Sequence, residues 1–180
     1  MSGGETTAKK QAVWRKLELK DIESLMKIAD QIHSDLPERR EVFAEHVQLF
    51  PKGCLALVDV ETNQLCGYAI SHPIRYRHPP ALGSVMGELA SNPEQYYVHD
   101  VAILAQYQGS GYAQQCIDEL LAVAKPYRTT GLVSAYGTTK FWTRHGFRAV
   151  DINTAMMRKL EGYGDGARWL ERKNEQSQDI

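Results

Sequence analysis

Residues 99–121 read HDVAILAQYQGSGYAQQCIDELL, and this stretch decides the fold. Residues 96–104 (YYVHDVAIL) are apolar on both faces after their start, which predicts a central strand. The turn Gln108–Ala113 follows, and it leads into a helix whose apolar residues recur at helical spacing. Such a turn leaves backbone N–H groups free at the positive end of a helix, which favours a phosphate group. The same kind of turn also occurs as a plain connection without a ligand.

Two other phosphate-binding patterns do not fit this turn. A Walker A loop ends in Lys followed by Ser or Thr, whereas Tyr112 and Ala113 stand at those positions. A dinucleotide fingerprint needs three glycines near the chain start and an acidic residue about 20 residues later. Position 114 is Gln, and the next predicted strand, GLVSAYG (131–137), contains no acid. The sequence therefore excludes both nucleotide-binding patterns.

Composition excludes several classes of protein. The 180 residues carry 21 Lys and Arg against 22 Asp and Glu, a formal net charge of −1, which argues against a nucleic-acid-binding protein. No apolar run reaches the roughly 18 residues of a membrane span, and MSGGETTAKKQ lacks a secretory signal. The chain has three cysteines, Cys54, Cys66 and Cys116, and each lies in an apolar segment. An odd number in such positions predicts buried thiols in a reducing compartment. We expect a cytoplasmic protein, and a nuclear location remains open.

Hydrophobic periodicity outward from the central stretch predicts alternating strands and helices. The predicted strands are 13–19, 53–60, 64–72, 96–104, 131–137 and a final strand or pair within 149–160; helices begin near Asp21, Pro37, Tyr112 and Thr139, and 73–94 is a long loop. The order β-α-α-β-β-β-α-β-α-β indicates an α/β domain on a mixed sheet. We expect one domain over 13–160, a disordered tail over 1–12 and a flexible tail over 161–180, in which Trp169 is the strong apolar anchor.

The turn and the element order together resemble the GNAT superfamily of acyl-CoA-dependent N-acetyltransferases. The family signature Q/R-x-x-G-x-G/A is matched by Gln108, Gly111 and Ala113. A closing element that ends in Gly-Phe is matched by Phe141–Phe147. The resemblance covers residues 13–160. It implies a mixed, mostly antiparallel sheet that splays between its fourth and fifth strands, with helices on both faces.

The resemblance also implies acetyl-CoA as co-substrate. Its pyrophosphate would be held by the turn, and its pantetheine arm would pair with the fourth strand. The implied coenzyme-binding residues are Val101, Ala102, Ile103, Gln108, Gly109, Ser110, Gly111, Tyr112, Ala113, Phe141 and Trp142. An amine would attack the thioester directly, so no covalent enzyme intermediate is expected.

Acid–base residues are expected around the fourth strand, because a protonated amine is not a nucleophile. His99 stands where the family usually has a Glu base, and Asp100 follows it. Neighbouring strand residues point to opposite faces unless a bulge intervenes. The alternative is that His99 packs in the sheet and Asp100 orients a loop. Trp142 replaces the Tyr that commonly protonates the leaving thiolate, so Tyr136 is the candidate acid, although a thiolate can also leave unaided.

The acceptor pocket is expected to lie between the loop 73–94 and the helix–helix link 33–40. His72, Tyr76, His78 and Glu88 are candidates for recognising the acceptor, against the alternative of solvated loop residues. His72 and His78 are six positions apart across a proline, which is not a metal-ligand spacing, so we expect no metal site.

The sequence thus favours an N-acetyltransferase that moves an acetyl group from acetyl-CoA to a primary amine of a small molecule or peptide. Two alternatives are a non-catalytic CoA-binding sensor or interaction module and a protein lysine acetyltransferase. A loop as long as 73–94 favours a closed pocket over an open peptide groove. Neither nucleic acid nor membrane is expected as a partner, and a homodimer with Trp169 at its contact is a further hypothesis.

Overall fold

Seven strands form one sheet in the computed structural model, which describes residues 9–175. The strands are β1 (Ala12–Lys16), β2 (Cys54–Asp59), β3 (Leu65–Ile74), β4 (Gln95–Ile103), β5 (Thr129–Ser134), β6 (Arg148–Ala149) and β7 (Arg168–Lys173). The helices are α1 (Ile22–Ile32), α2 (Arg40–Leu49), α3 (Tyr112–Ala124), α4 (Thr139–Arg144) and α5 (Thr154–Glu161). The strand order is β1-β2-β3-β4-β5-β7-β6, and the β4–β5 pair alone is parallel. The predicted mixed, mostly antiparallel sheet is therefore confirmed.

Alternation along the central strands places helices on both faces of the sheet. Ala56, Tyr68 and Ile70 pack with apolar residues of α1 and α2. The neighbouring residues Leu55 and Ala69 pack with α3 and α4 on the opposite face. Successive strand residues point to opposite faces, so a run that is apolar throughout needs a helix layer on each side.

The fourth and fifth strands separate partway along their length. β4 pairs with β5 from Gln95 to Val98 only, although β4 continues to Ile103. At the same point the β3–β4 register shifts: Ile70 faces Asp100, whereas the next residue, Ser71, faces Val98. His99 is therefore the extra residue of a β-bulge, which bends and twists a strand locally. This opening is the splay that the family resemblance implies.

Helix α5 replaces the final strand that periodicity predicts within 149–160. Asn153 caps it, since its side chain accepts a hydrogen bond from the backbone N–H of Met156. Met156 and Leu160 are buried on one face of the helix, four residues apart. Only Arg148–Ala149 forms a strand in this region, so the prediction of a strand over 149–160 was wrong.

Strand β7 lies inside the segment that was expected to be a flexible tail. It pairs with both β5 and β6, and Trp169 is buried against Tyr97 with ring centroids 5.9 Å apart. The tail expectation is wrong for Arg168–Lys173, because this strand completes the sheet. Trp169 is not available for a dimer contact. Residues 1–8 and 176–180 of the two expected tails lie outside the described residues.

Within residues 9–175, none of the helices is both long and apolar enough to cross a membrane. All three cysteines are buried and free, as predicted.

Candidate active site

A pocket of about 110 Å³ lies at the opening between β4 and β5. Its floor is formed by the two separating strands, and its walls come from the α1–α2 link, the 75–94 loop and the segments after β5 and α5. The lining side chains with polar groups are Asp30, His33, Glu38, His99, Asp100, Tyr136, Thr138, Trp142 and Tyr163. The link 33–40 and Leu82 of the long loop line the pocket where the sequence placed the acceptor.

The bulge in β4 brings two neighbouring residues to one pocket. In a regular strand His99 and Asp100 would point to opposite faces. With His99 as the extra residue, both line the pocket.

Asp100 is held by two hydrogen bonds at the pocket. The Tyr68 hydroxyl donates to Oδ2 at 2.6 Å, and His33 Nε2 lies 2.8 Å from Oδ1. Burial acts to lower the pKa of His33, but the hydrogen bond and charge of Asp100 outweigh it, and the net pKa is raised. The His33 ring stacks on Tyr136 with centroids 5.6 Å apart. Asp100 and His33 thus form an acid–base pair beside an aromatic wall.

His99 is enclosed more tightly than its neighbour. Its side chain is 1% exposed, and its Nε2 lies 2.7 Å from Oε1 of Glu38. Burial acts to lower the pKa of His99, but the charge and hydrogen bond of Glu38 raise it overall. The other Glu38 oxygen accepts a hydrogen bond from the backbone N–H of Gly83. Glu38 therefore links the bulge to the long loop and occupies Nε2 of His99.

Two tyrosines at the pocket can donate a proton. Tyr136 is 52% exposed in a left-handed turn (φ 53°) after β5. Partial burial raises its pKa, with Asp35 and Asp100 adding to the effect, so the hydroxyl stays protonated at neutral pH. Tyr163 has a buried hydroxyl without a hydrogen-bond partner, and burial raises its pKa to about 12.

The glycine turn presents an open backbone at the start of α3. Gly109 and Gly111 have φ values of 79° and 84°, and nothing lies within 4 Å of where their Cβ atoms would be. The helix has no side-chain cap and no acidic residue in its first turn. Gln108 is held by a hydrogen bond from Nε2 to the Ile103 carbonyl. A free, positive helix end next to open glycines suits an anion.

The remaining predicted coenzyme residues take different positions. Val101 and Trp142 line the pocket, and Phe141 packs against Trp142 with ring centroids 5.0 Å apart. The Ala102 side chain packs on the α1–α2 face, which leaves only its backbone for a ligand. The Tyr112 hydroxyl accepts a hydrogen bond from Ala12 N at 2.8 Å, so this side chain ties α3 to β1.

The four predicted acceptor residues do not line the pocket. His72 is fully buried because β3 extends through Ile74 and carries it into the interior. Tyr76 and His78 are exposed, with the Arg77 guanidinium 4.8 Å from the Tyr76 ring centroid. Glu88 is exposed on the loop. His72 is enclosed away from the pocket, and its role in recognising an acceptor stays a prediction.

Sequence reasoning missed Tyr68, Tyr163 and the specific partners within the 33–40 link. Tyr68 and Asp100 are 32 positions apart and meet through the β3–β4 pairing. Tyr163 stands in the segment that was expected to be a flexible tail. The link 33–40 was predicted as a whole, but the contacts of His33 and Glu38 with β4 depend on the bulge.

Comparison with known proteins agrees with this architecture. The sequence pattern described as the Acetyltransferase (GNAT) family matches residues 18–147. No curated protein matches the chain at a significant level.

Several solved structures share the fold at low sequence identity. Ard1 from Thermoplasma volcanium is 13% identical with a TM-score of 0.66, covering 92% of this chain and 99% of that one. The loading GNATL domain of CurA from Lyngbya majuscula is 12% identical with a TM-score of 0.73, covering 91% and 98%. N-acetylglutamate synthase from Neisseria gonorrhoeae, complexed with coenzyme A and N-acetyl-glutamate, is 14% identical with a TM-score of 0.69, covering 92% of this chain and 36% of that one.

Proposed function

The chain belongs to the acetyltransferase (GNAT) family, and from this premise we propose that it transfers an acetyl group from acetyl-CoA to the primary amine of a small, positively charged molecule. One observation carries the proposal. The bulge at His99 and the divergence of β4 from β5 place Asp100, paired with His33, in a pocket at the opening of the sheet.

Acetyl-CoA suits the open surface at the end of β4. The pocket of about 110 Å³ has room for the reacting groups but not for a whole coenzyme, since sites for larger ligands are roughly 300–1,000 Å³. The phosphates would lie outside it, against the open backbone of Gly109 and Gly111. The unpaired side of Val101–Ile103 connects the pocket with that turn.

Charge and shape favour a small cationic acceptor. Asp30, Glu38 and Asp100 line the pocket, whereas no Lys or Arg is among its lining residues in the described chain. Carboxylates attract an ammonium group and disfavour a substrate carboxylate. The long loop covers the pocket through Leu82, and Glu45 accepts hydrogen bonds from the backbone N–H groups of Met86 and Gly87. A fixed cover favours a compact acceptor over an extended peptide.

The proposed chemistry has three proton transfers, two of which involve the described side chains. The ammonium loses its proton to the Asp100–His33 pair, and the neutral amine attacks the thioester carbonyl. The N–C bond forms, the C–S bond breaks, and the electron pair goes to sulfur. Tyr136 donates a proton to that thiolate. The second proton of the amine nitrogen passes to solvent, which leaves the neutral amide. Before the next turnover the Asp100–His33 pair releases its proton and solvent returns one to Tyr136.

Calorimetric titration of acetyl-CoA into the wild type and Gly111→Asp tests the coenzyme site. The new carboxylate meets the phosphates and strains a residue at φ 84°, so affinity should fall at least tenfold. Gly164→Asp is the matched control, because Gly164 also has a positive φ with open space around it. Folded wild-type protein that fails to bind acetyl-CoA would overturn the proposal.

An acceptor panel tests the substrate class. Thiol release is measured with diamines, aromatic amines, amino acids and short peptides, and acetylated products are identified by mass spectrometry. We expect turnover with amines that lack a carboxylate. Turnover confined to peptides would favour a protein acetyltransferase, and coenzyme binding without turnover would favour the sensor reading.

A further inference from the structure

We propose that His46, His72 and His99 form a buried binding site for one divalent transition metal ion such as Zn²⁺. His46 lies on α2, His72 on β3 and His99 at the bulge of β4. The cluster adjoins the pocket through His99, whereas His46 and His72 do not line it, so metal binding can be measured without acetyl transfer.

The three imidazoles converge closely enough to share an ion. One ring nitrogen from each residue lies within 4.8 Å of the others. The His46 ring centroid is 4.9 Å from that of His72 and 4.8 Å from that of His99. Tetrahedral Zn²⁺ with nitrogen at about 2.0–2.1 Å needs ligand atoms roughly 3.3 Å apart. Binding one ion therefore requires the nitrogens to approach one another by up to about 1.5 Å.

The cluster leaves buried nitrogens without partners. Both ring nitrogens of His46, Nε2 of His72 and Nδ1 of His99 are buried and make no hydrogen bond. His46 is 1% exposed and His72 is fully buried. A buried polar group that has no hydrogen-bond partner destabilises the fold. One ring nitrogen from each of the three residues lies close enough to the other two for a single ion to accept a lone pair from each.

The outer hydrogen bonds already orient two of the rings. His99 Nε2 lies 2.7 Å from Glu38 Oε1, and His72 Nδ1 lies 3.1 Å from the Pro73 carbonyl oxygen. Metal-binding histidines typically donate their other N–H to a carboxylate or a backbone carbonyl. The nitrogens left over, His99 Nδ1 and His72 Nε2, are the unpartnered ones. The arrangement matches a ligand set with its supporting hydrogen bonds in place.

The chemistry of the donors selects the ion. Three imidazoles suit zinc, copper, iron or nickel, whereas Mg²⁺ and Ca²⁺ prefer oxygen ligands. A bound ion would fix α2 and β3 to the bulge that presents Asp100. The competing occupant is a buried water molecule, which can satisfy two to four polar groups.

Metal analysis of tag-free wild-type protein tests the proposal. We expect one equivalent of transition metal after purification and dialysis, and loss of it with a chelator such as dipicolinate. Re-addition of Zn²⁺ to the stripped protein should raise its melting temperature, whereas Mg²⁺ should not. Co²⁺ should give visible absorption bands typical of nitrogen ligands in a low-coordinate site.

Variants locate the metal. His46→Gln should abolish stoichiometric binding, and the exposed His78→Gln is the matched control. If His46→Gln does not fold, the stripped wild type with Zn²⁺, Mg²⁺ and Co²⁺ decides alone. The proposal would be overturned if the stripped, folded wild type bound neither Zn²⁺ nor Co²⁺. It would also be overturned if His46→Gln bound one full equivalent of metal. Either result would favour a buried water molecule.

Discussion

The two halves of strand β4 differ in what surrounds them. Gln95–Val98 pair with β3 on one side and β5 on the other, whereas Asp100–Ile103 pair with β3 alone and His99 is the bulge residue between the two halves. The first half is enclosed by neighbouring strands, and the second half faces the pocket. One strand thus supplies both the rigid support of the site and its reactive surface.

The polar groups of the two halves differ in the same way. Next to the first half, Glu171 accepts hydrogen bonds from the Gln95 side chain, from the Trp169 indole and from two nitrogens of Arg77. In the second half, Asp100 is held by Tyr68 and His33 at the edge of an open pocket. Polar groups such as Glu171, whose hydrogen bonds are made inside the protein, stabilise the sheet. Polar groups at the pocket, such as Asp100, can act on a substrate.

Asp100→Asn is expected to have the largest effect, and it acts on the open half. Asparagine keeps the shape but removes the charge that holds His33 and accepts a proton. The kcat for thiol release should fall roughly 10²- to 10⁴-fold, as for other acid–base groups, with little change in the melting temperature. Asp118→Asn, on the exposed face of α3, is the control. A rate within twofold of wild type would remove Asp100 from the proton transfer.

Gly131→Ala should act on the paired half instead. A Cβ at Gly131 would clash with the indole ring of Trp169, so the ring would have to move within the core. Overpacking of this kind costs about 1–3 kcal/mol of unfolding free energy, measured by urea denaturation. Acetyl-CoA affinity should stay unchanged.

Gly162→Ala is the matched control for that change, because the nearest atom to its Cβ lies at 3.4 Å. Equal stability of the two variants would contradict the tight packing of β5 against β7 through Trp169.

The sequence predicted the surroundings of the open half of β4 better than those of the paired half. The glycine turn and the polar pair His99–Asp100 stand within 15 residues of each other, and local patterns report local structure. Strand β7 was missed because Trp169 and Leu170 are both buried on a short strand with charged ends, which gives no alternation. The glycines just before it also resemble a linker.

Contacts between distant elements could not be predicted from local patterns. The bulge at His99 arises from the β3–β4 register, and one added residue leaves no mark in the sequence of either strand. The histidine cluster joins α2, β3 and β4, so its members are 26 or more positions apart in the chain. Spacing rules for metal ligands detect sites within one segment and miss those assembled by a sheet.

The Glu171→Gln variant tests the paired half of β4 through the pH dependence of its unfolding free energy. Burial acts to raise the pKa of Glu171, but the hydrogen bonds from Arg77, Trp169 and Gln95 outweigh it, and the folded-state pKa is lowered. The charged form therefore stabilises the fold above the unfolded-state pKa, and this contribution is lost as the pH falls through the folded-state pKa. At neutral pH the variant should lose roughly 1 kcal/mol, because charged hydrogen bonds become neutral ones.

Urea titrations of wild type and Glu171→Gln between neutral and acidic pH measure that difference. The two stabilities should converge as the pH falls, and the exposed Glu161→Gln should follow wild type throughout. A constant gap at all pH values would show that Glu171 acts through packing and not through its charge.

Tyr136→Phe should have the smallest effect, since a thiolate is a fair leaving group without help. The variant keeps the ring that stacks on His33 and loses only the hydroxyl. The kcat should fall about tenfold or less, while the KM for the amine stays unchanged. Tyr76→Phe, an exposed tyrosine outside the pocket, is the control. If Tyr136→Phe kept full activity and Tyr163→Phe lost activity, the proton donor would be the buried Tyr163 hydroxyl. The donor would then come from the segment between α5 and β7.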